Sequence, residues 1–195
     1  MKAFLNLIRW QNLSIVILTM ILMRYAVLVP VLAKIGVVLT NGTGEEVPMI
    51  VQFPLTDFVL LVLATLFLTA GGYVINDYFD VKTDLINKGK VIVGTMIPRR
   101  QAMMWHNIFN IVGVSIGFYI SWKAGYIWLG IMFLIVSGLL YFYSASYKRQ
   151  FLIGNVVVAT LVAMAPMLVV IYEWPALYRF YTLNATSLPE FNFIF

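Results

Sequence analysis

Hydrophobic positions in this chain fall into long unbroken runs, not into the alternating pattern of a half-buried strand or the one-sided stripe of a surface helix. Five runs stand out: Leu13–Ala33, Phe58–Ile75, Ala102–Trp122, Tyr126–Tyr143 and Phe151–Tyr172. Each approaches or exceeds the roughly 20 residues a helix needs to cross a bilayer, and each is too long for a barrel strand. The pattern predicts an all-α, polytopic transmembrane helix bundle, a single membrane-embedded domain over residues 1–195. The first run is too long for a signal peptide and shows no small-residue cleavage site. Leu177–Phe195 mixes apolar residues with Arg179, Pro189 and Glu190 and reads as a loop, with Phe191–Phe195 the start of a further span.

Composition agrees. The chain is 62% hydrophobic and 11% charged, with a mean hydropathy of +0.92. A soluble domain carries about 25% charged residues, so soluble and disordered classes are excluded. With no cysteine, disulfides, thiolate metal sites and a cysteine nucleophile are excluded too. The net charge of +5 is a topology signal, and no nucleic-acid partner is expected. Lys2, Arg9, Lys82, Lys88, Lys90, Arg99, Arg100, Lys148 and Arg149 fall on one side if the spans alternate. The other side has Lys34, Lys123 and Arg179 beside Glu45, Glu46, Glu173 and Glu190. The positive-inside rule then predicts a cell-membrane protein whose N-terminus and 79–101 loop are cytoplasmic.

Three of the four aspartates lie in Asn76-Asp77-Tyr78-Phe79-Asp80-Val81-Lys82-Thr83-Asp84. If the second span continues as a helix, Asn76, Asp80 and Asp84 form an i, i+4, i+8 row with Asp77 alongside. Carboxylates on one stripe repel each other, and the negative end of the helix dipole adds to the cost. A compensating cation is needed. Oxygen donors suit Mg²⁺, which takes one or two carboxylates and fills its shell with water and substrate phosphate. The plainer alternative is a solvated loop pairing with Lys82 and Lys88.

The run Gly71-Gly72-Tyr73-Val74-Ile75-Asn76-Asp77-Tyr78-Phe79-Asp80, followed by Asp84 and Ile86-Asn87-Lys88, resembles the first aspartate-rich motif of UbiA-type intramembrane prenyltransferases, N-D-x-x-D-x-x-x-D. The resemblance implies a bundle of about nine spans, five of them present here, that moves a prenyl group from prenyl diphosphate to a hydrophobic or aromatic acceptor. It implies Asn76, Asp80 and Asp84 as Mg²⁺ ligands, with Asp77 adjacent in the catalytic set. Allylic C–O ionisation builds negative charge on the diphosphate, which Mg²⁺ and fixed cations stabilise. The pattern looks closest to the branch that adds geranylgeranyl to geranylgeranylglycerol phosphate. Quinone-pathway aromatic acceptors are the alternative.

Tyr143-Ser144-Ala145-Ser146-Tyr147-Lys148-Arg149 resembles the family's tyrosine-to-lysine element. It implies Tyr143 and Lys148 as diphosphate contacts, with Arg149 as a substitute because guanidinium grips phosphate bidentately. Lys88 flanks a possible cap over the site. Arg9 and Asn12 resemble a family element at the start of the first helix and are expected at the acceptor entrance. Interfacial anchors and topology signals explain the same residues without substrate.

Arg24 interrupts the first span and needs a polar partner there. Gly113 and Gly117 form a small-xxx-small surface in the third span. His106 reads as an interhelical hydrogen-bonding residue, and Pro166 predicts a kink in the fifth span. The family's second aspartate motif has no counterpart, because no aspartate follows Asp84. The chain is therefore expected to be incomplete at its C-terminus. A shortened protein that needs a partner, or a non-catalytic membrane assembly or lipid-binding protein, is the alternative. Membrane CDP-alcohol phosphotransferases also gather aspartates at a helix end, but their D-G-x-x-A-R lead-in is absent.

Overall fold

The computed structural model describes residues 2–35, 39–40, 46–47, 49–88 and 91–184. It is an all-α bundle. In chain order the helices are α1 (Lys2–Leu7), α2 (Trp10–Leu22), α3 (Val29–Ile35), α4 (Leu55–Lys88), α5 (Arg99–Lys123), α6 (Gly130–Ala145) and α7 (Ile153–Asn184). A π-helical turn, Met23–Leu28, joins α2 to α3. Pro30 stands just beyond it. Proline has no N–H to offer the preceding turn, and local widening of the helix accommodates the loss. Leu39–Thr40 and Glu46–Val47 form a two-residue antiparallel pair.

Among the described residues five helical stretches are long and apolar enough to cross a membrane: Trp10–Lys34, Leu55–Ile86, Arg99–Lys123, Ile127–Ala145 and Ile153–Phe180. They match the five predicted runs, with two corrections. The second helix does not stop near Ile75 but carries the acidic motif as far as Lys88. The fifth does not give way to a loop at Leu177 but continues to Asn184. The rest of that segment, including Phe191–Phe195, lies outside the described residues. So does Lys90. The fifth helix runs on through Pro166 and Pro175, as membrane helices do where neighbours compensate the missing bond.

The second span is the hub: 61% of its membrane-length window is buried, against 17–28% for the other four. It runs antiparallel to α5, since paired positions descend one helix as they climb the other. Arg99 reaches the Tyr78 carbonyl, His106 meets the Gly71 carbonyl, and Lys123 pairs with Asp57. In lipid, helices gain little by hiding apolar surface from one another, so close van der Waals contact and interhelical hydrogen bonds hold the bundle. The glycines supply the contact. A Cβ on Gly113 would stand 3.0 Å from the Ala64 carbonyl, and Gly117 lies against the Phe133 ring. Phe58, Leu61, Leu68, Ile120, Phe133, Val169 and Tyr172 fill the main core. A smaller cluster, Leu7, Val74, Val93, Ile97 and Phe109, seats α1 and the 91–98 turn at the motif end of α4 and α5.

Candidate functional site

Because α4 stays helical through the motif, at about 100° per residue Asn76, Asp77, Asp80 and Asp84 share one arc of about 100°, and the two edges of that arc meet different neighbours. Asn76 and Asp80 face the end of α6. Lys148, in the short turn Tyr147–Arg149 that follows α6, places Nζ 2.6 Å from Asp80 Oδ1 and 3.3 Å from Asn76 Oδ1. Asp77 faces α2, where Arg9 Nη2 donates to Asp77 Oδ1 at 2.9 Å. The expected stripe forms with the continued helix, and within it Asp77 makes a different contact from Asn76 and Asp80. Asp84 stands one turn further on, half-buried. Among the described residues no three acidic or histidine side chains gather closely enough to hold a metal by themselves. Two oxygens, one of them anionic, do converge on the single positive charge of Lys148. That donor set fits a hard divalent cation that draws its remaining ligands from water and phosphate.

Arg9 is held in an unusual way. Its φ of 51° is the one positive value at a non-glycine among the described residues, and it breaks α1 from α2. A left-handed conformation costs an ordinary residue about 1–2 kcal/mol, and it persists where the surroundings enforce it. Here the Asp77 ion pair and the Tyr73 ring, 4.9 Å from the guanidinium, hold the side chain.

Between α2, α4, α6 and α7 lies a cavity of about 420 Å³. Arg9, Asn76, Tyr143 and Ser144 are at its polar end; Thr65, Leu68, Phe133 and Leu168 line it further in. From Asn76 to Thr65 along α4 the wall is about 16 Å long at 1.5 Å per residue. The Thr65 and Thr69 hydroxyls are turned to the helix's own carbonyls, at 2.9 Å and 2.7 Å, so the wall presents little free polarity. Gly72 lets α6 approach: a Cβ there would stand 2.8 Å from the Leu140 side chain.

Behind this wall a hydrogen-bond network ties α4, α5 and α6 together. His106 Nδ1 lies 3.0 Å from the Gly71 carbonyl, Asn110 Nδ2 donates to the His106 carbonyl at 2.8 Å, and Ser137 Oγ donates to Asn110 Oδ1 at 2.6 Å. Toward the far end of the bundle the buried Arg24 finds a carbonyl. Its Nη2 donates to Phe53 O at 2.6 Å, and its guanidinium lies 4.8 Å from the centre of the Phe58 ring. From α7, Glu173 Oε1 accepts the Phe53 N–H at 2.9 Å and the Gln52 N–H. One peptide segment is thereby clamped from two helices.

The structure brings together Asn76, Asp80 and Lys148, pairs Asp77 with Arg9, and sets Tyr143 at the cavity mouth. It leaves Arg149 and Asn12 exposed, and neither lines the cavity. Lys88 ends α4, but its side chain lies outside the described residues. Sequence reasoning missed Tyr73, Thr65, Thr69 and Ser144 as wall residues. Their spacing along α4 and α6 marks a face, but only the packing shows that this face borders a cavity.

The family model described as "UbiA prenyltransferase family" matches residues 49–182. The digeranylgeranylglyceryl phosphate synthase of Sulfolobus acidocaldarius is 38% identical over 115 residues, 55% of this chain and 38% of that protein. The protein of the same name from Methanobrevibacter smithii is 32% identical over 160 residues, covering 81% of this chain and 48% of its own. This chain therefore spans less than half the length of these curated relatives. A solved structure from work on digeranylgeranylglyceryl phosphate synthase in membranes superposes with a TM-score of 0.62 at 24% identity, over 90% of this chain and 58% of that one. It supports the fold.

Proposed function

Because this chain belongs to the UbiA prenyltransferase family, we propose that it binds a prenyl diphosphate, with Mg²⁺, for transfer to a glycerophosphate lipid acceptor. The observation that carries the reading is one arrangement. Asn76 lines the polar end of an apolar cavity, and Asp80 and the Lys148 ammonium converge beside it, so a diphosphate and its hydrocarbon tail would find the opposite surroundings they need in one ligand. Relatives named digeranylgeranylglyceryl phosphate synthase support a geranylgeranyl donor and a geranylgeranylglyceryl phosphate acceptor.

In this reading Asn76 and Asp80 would hold Mg²⁺, with Asp84 next along the helix, and the ion when bound would supply positive charge to the departing diphosphate. Lys148 supports the same leaving group, and Tyr143 reaches it from the cavity mouth. Arg9, positioned by Asp77 and Tyr73, faces the opening from α2, where an anionic acceptor headgroup would enter. The apolar wall excludes water from the allylic cation formed on ionisation. We place the motif end at the cytoplasmic face of the cell membrane, a reading supported by the excess of lysine and arginine that the sequence assigns to that side.

The test is transfer itself. Membranes containing the chain are supplied with geranylgeranyl diphosphate and geranylgeranylglyceryl phosphate, and the extracted lipids are weighed by mass spectrometry. A product heavier by one geranylgeranyl group, absent with Asp80→Ala, is expected. Product of equal yield from the Asp80→Ala membranes would sink the reading.

A further inference from the structure

Lys148 stands where a cation bound by Asn76 and Asp80 would stand. Its ammonium is 2.6 Å from Asp80 Oδ1 and 3.3 Å from Asn76 Oδ1, and only 13% of its side chain is exposed. The same two oxygens are the donors that the proposed function gives to the divalent ion. Two positive charges cannot share that position, because at contact distance in a partly buried site their repulsion is several times what it is in water. One must leave for the other to enter.

We infer that Lys148 is a resident counter-cation that yields its place to the divalent ion only when a diphosphate arrives to receive it, so that metal and diphosphate load together. This rests on the diphosphate reading above. The local build permits the movement. Lysine is a compact point charge on a flexible four-carbon stem, and its three donors serve a carboxylate or a phosphate equally. Lys148 sits in a short turn just past α6, whose last helical turns put Tyr143 and Ser144 on the cavity mouth. Asn76, which the Lys148 ammonium already meets, lines the same cavity, so a diphosphate at that mouth adjoins the ammonium. Arg9 is already committed to Asp77 and the Tyr73 face, so Lys148 is the cation whose release adds charge on the Asn76 side. While the site is empty, the lysine neutralises Asp80. It thereby stops a lone divalent ion from settling between the oxygens before substrate is present.

The test reads metal binding, not turnover. Mn²⁺ replaces Mg²⁺, and free Mn²⁺ is followed by electron paramagnetic resonance in titrations of the detergent-solubilised full chain, with and without inorganic pyrophosphate. Wild type is expected to bind Mn²⁺ at least tenfold more tightly with pyrophosphate than without. Lys148→Met is expected to bind Mn²⁺ alone at least tenfold more tightly than wild type and to lose most of the pyrophosphate gain. Lys148→Gln keeps a neutral donor beside Asp80 and is expected to fall between them, which guards against misfolding of the methionine variant. Asp80→Asn sets the background. Lysine variants that bind Mn²⁺ alone no better than wild type would overturn the exchange while leaving the diphosphate reading intact. Wild type indistinguishable from Asp80→Asn, even with pyrophosphate, would overturn both.

Discussion

The buried clamp at the end of the bundle away from the acidic motif makes a sharp prediction about stability. Glu173 is 1% exposed and Arg24 is 4% exposed, and both act on the peptide of Phe53, which is itself 4% exposed. Glu173→Leu removes the acceptor of two backbone N–H groups, at Gln52 and Phe53. A hydrogen bond to a charged group contributes about 1.5–3 kcal/mol in water-soluble proteins, whereas interhelical bonds in membranes average about 0.6 and reach about 1.7. The Phe53 N–H is left buried without its acceptor, and the Arg24 guanidinium, bound to the Phe53 carbonyl, loses the negative charge held at the N–H of the same residue. Together these give a loss of about 2–4 kcal/mol. Glu173→Gln keeps an acceptor oxygen of the same shape and should lose about half as much. The assay is reversible SDS unfolding in mixed micelles, followed by far-ultraviolet circular dichroism. A double variant, Arg24→Met with Glu173→Leu, should be more stable than the sum of the single losses by about 1 kcal/mol or more, since neither charge is then stranded. Strict additivity, or a loss below about 0.5 kcal/mol for Glu173→Leu, would refute the clamp.

Three further outcomes follow from the geometry around the motif. Asp80→Ala should lower transfer by at least about 100-fold, the scale of removing a group that stabilises developing charge, as measured by product lipid per unit time. Arg9→Gly should be more stable than Arg9→Ala by about 1 kcal/mol, since glycine adopts the left-handed backbone of residue 9 without strain, yet both should weaken acceptor binding about tenfold in a KM measurement. Gly72→Leu should cost about 1–3 kcal/mol by pushing Leu140 and α6 off α4, and the same micelle titration reads that loss.

Much of this architecture is legible in the primary structure, for a physical reason. A bilayer demands about 20 apolar residues per helix, so all five spans announce themselves regardless of tertiary contacts. Their polar ends do not. The second span reads as ending near Ile75 because hydrophobicity stops there, yet backbone hydrogen bonding carries the helix through Asp77, Asp80 and Asp84 to Lys88. The tail after Leu177 is misread for the same reason, with Arg179 and Thr182 hiding a continuing helix. The i, i+4 spacing places Asn76 and Asp80 on one face, but it is silent on which residue meets that face. Lys148 is 68 positions from Asp80, and Arg9 is 68 positions from Asp77. Both pairings depend on how α2, α4 and α6 pack. Arg24 announces that it needs a partner, and its partner is a carbonyl, a group that every residue carries and no sequence pattern singles out. The cavity is the least legible feature, because Thr65, Thr69 and Tyr73 are ordinary span residues until four helices enclose a space beside them.

The central claim, that Asn76, Asp80 and Lys148 receive a prenyl diphosphate together with a divalent cation, is tested most directly by ligand-induced thermal stabilisation of the solubilised chain. Geranylgeranyl diphosphate at a hundredfold excess over its Kd stabilises a folded protein by about 2.7 kcal/mol, a readily measured rise in Tm. That rise should appear with Mg²⁺, vanish with a chelator, and be absent from Asp80→Ala under either condition. An equal rise with and without Mg²⁺, or in Asp80→Ala, would contradict the claim and reduce the site to an apolar cavity that holds a lipid tail.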